Sequence, residues 1–151
     1  MRSLMPALVI SSMLGAGARP STAASPDLRG AWRPETYTLK DGAQHPVDGL
    51  IFFSEKDWTV LFFVTVNGEP RRGSAEGGTY TLEGNRLVFT HLYDLSAGQA
   101  VAGLPESPLS MQLKDKKTAA TEPCEVELAF DRLTLRFPTG NTMTFRRSSR
   151  F

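Results

Sequence analysis

Cysteine, histidine and net charge are what this chain of 151 residues has least of. Its single cysteine, Cys124, excludes an internal disulfide framework, and together with only His45 and His91 it is too little for a Cys/His zinc cluster. With 17 Lys+Arg against 16 Asp+Glu the formal charge is +1, so no global field steers the protein toward nucleic acid, and neither an acidic tail nor a basic arm is present. A Gly-x-Ser-x-Gly elbow, a phosphate loop, a His-Glu-x-x-His helix and a dinucleotide fingerprint are all missing. The large enzyme classes therefore lack support, and no cofactor or metal is implied. The chain is also too short for two ordinary domains.

What is present divides by composition. Met1 to Ala18, MRSLMPALVISSMLGAGA, has a positive Arg2, an apolar stretch from Leu4 to Leu14 and a small-residue site at Ala16-Gly17-Ala18. That is the pattern of a secretory signal over residues 1–18, too short to span a bilayer comfortably and interrupted by Pro6, Gly15 and Gly17 as a buried helix would not be. A secreted or periplasmic location follows as an expectation. Removing Arg2 with the leader leaves the remaining charges balanced. Residues 19–27, RPSTAASPD, read as a flexible leader, and 28–151 as the folded domain.

Within that domain eleven glycines and seven prolines follow Arg29, which makes helix the minority state. Strand patterning is strong instead. Trp58, Val60, Phe62, Val64 and Val66 share one face of WTVLFFVTVN, and Leu87, Phe89, His91 and Tyr93 share one face of the segment Arg86 to Asp94. Gly84-Asn85 between Leu82 and Leu87 is a hairpin signal. Cys124, Val126 and Leu128 alternate with Glu125 and Glu127; Leu133 and Leu135 alternate with Thr134 and Arg136; Met143, Phe145 and Arg147 share the last face. Eight strands result: 30–40, 48–54, 58–67, 78–83, 86–94, 122–129, 132–138 and 142–147. Successive short hairpins that must bury apolar faces and hide their edges predict an all-β, antiparallel up-and-down β-barrel, wide enough for one small ligand or a plug of side chains. The irregular stretch 95–121 is expected to be either a lid over one barrel end, with a short helix or extra strand through Leu109, Met111 and Leu113, or a disordered insertion.

Leu28-Arg29-Gly30-Ala31-Trp32, with Arg147 on the last strand, resembles the Gly-x-Trp opening and late basic residue of bacterial lipocalin-like domain proteins. Asp41-Gly42 with Pro46, the runs Gly49 to Ser54 and Gly78 to Leu87, and Leu133-Thr134-Leu135 extend the resemblance over residues 28–148; Phe145 departs from it, standing where that family often has Trp. The resemblance implies a barrel floor in which Arg147 stacks across Trp32 while Gly30 permits close approach, and a cavity for a small apolar molecule.

Phe62, Val64, Phe89, His91 and Tyr93 are the expected cavity lining, with His91 and Tyr93 orienting the ligand. The alternative is a small barrel enzyme, a cyclase, isomerase or hydratase of natural-product or lipid metabolism, using His91 and Tyr93 for proton transfer near neutral pH. A third possibility is a protein partner captured through 95–121. His45 and Arg71-Arg72 read as solvated loop residues, and Cys124 as a small core hydrophobe.

Overall fold

The computed structural model describes residues 24–149, so the expected signal at 1–18 lies outside the described residues. Nine strands follow one another: β1 Gly30–Thr38, β2 Gln44–Phe53, β3 Asp57–Val66, β4 Glu69–Glu83, β5 Arg86–Gly98, β6 Ser107–Leu113, β7 Thr121–Ala129, β8 Arg132–Arg136 and β9 Thr142–Arg147. All pairings are antiparallel, in the order β4-β3-β2-β1-β9-β8-β7-β5, and a further β4–β5 pairing closes the ring. The expected eight-stranded barrel is therefore the observed fold, with β6 added to it. Closure removes the free edges that an open sheet of this length would leave to solvent.

The way β6 fits depends on the length of β5. The first half of β5, Arg86 to Thr90, pairs with β7, and the second half, Tyr93 to Gly98, pairs with β6. Between the halves Gly77 faces Tyr93 while Gly78 faces His91, so Leu92 is an extra residue in the ladder. Such a bulge reverses the inside-outside phase of everything beyond it. The two glycines make it possible: a Cβ at Gly78 would collide with the Thr90 carbonyl, and one at Gly77 with the Tyr93 ring.

Several sequence boundaries move for physical reasons. β4 begins at Glu69 rather than Gly78, because the turn residues Asn67 (φ 54°) and Gly68 (φ 81°) reverse the chain tightly enough to pair Arg72 with Val64. Arg71 and Arg72 are thus strand residues, not a solvated loop. β2 begins at Gln44, which takes buried His45 into the sheet, where its Nε2 donates to the Ala102 carbonyl at 2.8 Å. The stretch 95–121 is neither helical nor shapeless: Leu95 to Gly98 continue β5, and Ser107 to Leu113 form β6. Residues 99–106 run between them toward the β1–β2 turn, tied down by Arg72 Nη1 donating to the Gln99 and Pro105 carbonyls and by a Val101–Leu104 turn.

The packed core occupies one end. Trp32, Phe53, Leu87, Leu133, Leu135 and Phe145 are essentially sealed there, and Phe53 meets Tyr80 edge-on at 5.3 Å. Outside, Arg146 bridges Glu35 and Asp131 at 2.9 Å each, and Arg136 pairs with Glu127 at 2.9 Å, as the alternating charges of the last strands predict.

Candidate functional site

The closed end is built around Trp32. Its indole N–H donates to the Leu28 carbonyl at 2.8 Å, and the Arg147 guanidinium lies 4.1 Å over the ring. Arg147 also donates to the Arg29 and Asp27 carbonyls at 2.9 and 3.1 Å, so one side chain stacks on the indole and ties down the approaching chain. Gly30 has φ +108° and sits so close that a Cβ would touch Arg147. The structure thus brings Gly30, Trp32 and Arg147 together. The end of the expected leader joins this plug as well: Ser25 accepts from the Gly84 N–H at 2.8 Å, and Leu28 is buried.

Above the plug the strands enclose a cavity of about 720 Å³. Ile51, Trp58, Val60 and Phe89 line it next to the core, Phe62 and Val64 line one wall, and Tyr37, Arg72, Leu104 and Phe137 stand near its mouth. Its size falls within the range typical of small-molecule sites. Of the five residues expected to line it, the structure brings Phe62, Val64, Phe89 and His91 together. Tyr93 is not among them. The bulge at Leu92 turns it to the outer face, where it is 41% exposed and lies over Gly77, so it can neither orient a ligand nor share proton transfer with His91.

His91 has partners that strand phase alone did not reveal. Its Nδ1 is 3.0 Å from Glu76 Oε2 on β4, and its Nε2 is 3.5 Å from Glu122 Oε2 on β7. The Ser74 hydroxyl donates to the other Glu76 oxygen, and the Trp58 indole meets the imidazole edge-on at 5.1 Å. A neutral imidazole has one N–H and could serve one carboxylate; two carboxylates at opposite nitrogens call for the imidazolium. The Glu122 and Glu76 carboxylates accordingly outweigh burial and raise the His91 pKa from 6.5 to about 9. For Glu76, burial works to raise the pKa, but hydrogen bonds from His91 and Ser74, helped by the charges of His91 and Lys114, leave it below the usual carboxylate range.

One of these partners was legible. Glu122 precedes Cys124 and Val126 by two and four residues, so the alternation that places those side chains inside also places Glu122 inside. Glu76 was not, because its segment, Gly73-Ser74-Ala75-Glu76-Gly77-Gly78, has the glycine content of a loop. Cys124 is buried beneath Glu122, and burial with that neighbouring negative charge pushes its thiol up to about 12, far from a nucleophile.

No protein-family model matches the chain, and no curated protein matches it significantly. Among solved structures it is similar to a lipocalin-like protein from Bacteroides uniformis, with 18% identity and a TM-score of 0.49 over 82% of this chain and 100% of that one. It is also similar to a protein from Bacteroides eggerthii, with 16% identity and a TM-score of 0.48 over 81% of this chain and 100% of that one.

Proposed function

We propose that this protein binds one small, largely apolar molecule inside the barrel, and that it does so as a secreted or periplasmic protein. The observation that carries the reading is the cavity itself: about 720 Å³, walled by Trp58, Val60, Phe62 and Phe89, with one polar cluster at His91. An apolar body burying roughly 200 Å² there gains about 5 kcal/mol before the cost of lost freedom on association. The polar cluster fixes its orientation.

The site favours binding over the general-base form of the enzyme alternative. At pH 7 an imidazole with a pKa of about 9 is protonated roughly a hundred to one, so His91 is a poor general base. The test uses N-phenyl-1-naphthylamine, an apolar fluorophore that brightens on leaving water. One saturable site is expected, weakened in Val64→Trp, whose indole would project into the cavity while the circular dichroism spectrum stays that of a barrel. A well-folded wild-type protein with no saturable site would overturn the reading.

A protein partner is a second reading, favoured by β6. Leu109, Met111 and Leu113 stand 64, 71 and 91% exposed on a strand whose far edge pairs with nothing among the described residues. Sedimentation of the wild type against a Met111→Lys, Leu113→Lys variant tests the simplest form, self-association; identical monomeric behaviour at all concentrations counts against it.

A further inference from the structure

The polar wall of the cavity is unusual in what it can still do chemically. Each nitrogen of His91 is already directed at a carboxylate, Glu76 at 3.0 Å and Glu122 at 3.5 Å, so both N–H groups of the imidazolium face anions. The Ser74 hydroxyl proton is likewise given to Glu76. The carboxylate lone pairs of the cluster differ in how far they are committed. Glu76 has both oxygens engaged, but Glu122 makes only the long 3.5 Å contact, has no other side-chain hydrogen bond among the described residues, and is 31% exposed where it lines the cavity. Glu122 is therefore the freest hydrogen-bond acceptor of this cluster. Two carboxylates share one imidazolium, and Lys114, which does not line the cavity, adds a positive charge near Glu76, so Glu122 is the less compensated of the two.

The neighbouring surface suits the same chemistry. Trp58 and Phe89 pack at 4.4 Å from each other and stand beside His91 at 5.1 and 6.3 Å, and Phe89 is the register partner of Glu122, so aromatic rings, whose faces attract cations, lie next to the acceptor. The other cation lining the cavity, Arg72, pairs on β4 with Val64, four residues and about 13 Å of strand from Glu76. Its Nη1 donates to the Gln99 and Pro105 carbonyls.

We infer that the cavity selects apolar molecules bearing a protonated amine, the ammonium held by Glu122 and the aromatic rings beside it while the apolar body fills the space between Ile51, Val60 and Phe62. The inference rests on the proposed binding of a small molecule in this cavity, and it ranks a fatty-acid-like carboxylate last at this position, where its anion would meet the Glu122 charge.

Three probes with one chain test it: decylamine, decanol and decanoate, each titrated at pH 7 below its micellar concentration and followed by calorimetry and by the fluorescence of Trp58. The amine is expected to bind at least about tenfold more tightly than the alcohol, and decanoate weakest, because a charge-assisted bond in a partly desolvated site is worth that much. Glu122→Gln keeps the shape and removes the charge; it is expected to cost the amine about tenfold and leave the alcohol within about threefold. Decanoate binding as tightly as decylamine, or an amine affinity that Glu122→Gln leaves unchanged, overturns the inference while the binding reading stands. Binding of none of the three by folded protein overturns both.

Discussion

Raising the pH from 6 to 10 is expected to weaken the folded state through one residue. His91 holds its proton more tightly folded, with a pKa of about 9, than unfolded, near 6.5. Because the folded value is raised, its contribution is complete below pH 6.5, declines between 6.5 and 9, and is gone above 9. The full linkage is on the order of 3 kcal/mol; since the cluster borders a solvated cavity, a loss of about 2 kcal/mol is the expected measurement. With only two histidines in the chain, the ring resonances of His91 can be followed by NMR through the whole range, and urea melts at stepped pH give the free energies. Glu122→Gln is expected to lower the His91 midpoint by about one unit, since one of its two anionic partners is lost. His91→Gln should abolish the decline between pH 6.5 and 9. A wild-type midpoint at or below 6.5, or an equal decline in the His91→Gln variant, refutes the ion-paired imidazolium on which the electrostatics of the site rest.

Other expectations concern the frame around the cavity. Arg147→Leu removes the cation over Trp32 and the tether to Asp27 and Arg29, and should cost about 1 to 2 kcal/mol, read as a lower urea midpoint with unchanged slope. Gly78→Ala sets a Cβ against the Thr90 carbonyl and the Leu92 amide, both backbone; roughly 2 to 4 kcal/mol should be lost, whereas an unchanged melt would show that the bulge does not need glycine there. Cys124 should react with a thiol reagent at neutral pH only as fast as the barrel opens, and at once in denaturant; prompt labelling of the native protein would place the thiol elsewhere.

The difference between what the pattern carried and what it did not is clearest along β5. Leu87 and Phe89 alternate as a strand residue facing a core must, and both are buried. Tyr93 obeys the same period on paper and lies outside, because one inserted residue, Leu92, shifts the phase, and bulges are set by the facing strand rather than by their own. Trp32, Gly30 and Arg147 could be grouped from the sequence only through resemblance, since 115 residues separate Trp32 from Arg147 and no local rule joins them.

The sequence by itself determined the all-β class, the hairpin order and the set of apolar faces, because strand periodicity and turn chemistry act over a few residues and are written locally. Only the tertiary structure decided that Ser74, Glu76, His91 and Glu122, from β4, β5 and β7, meet on one wall. Their meeting depends on ring closure between β4 and β5 and on the offset at Gly77 and Gly78, which are long-range matters of register. Register, rather than composition, is what sets two carboxylates against one imidazole in the cavity wall of a chain whose formal charge is only +1.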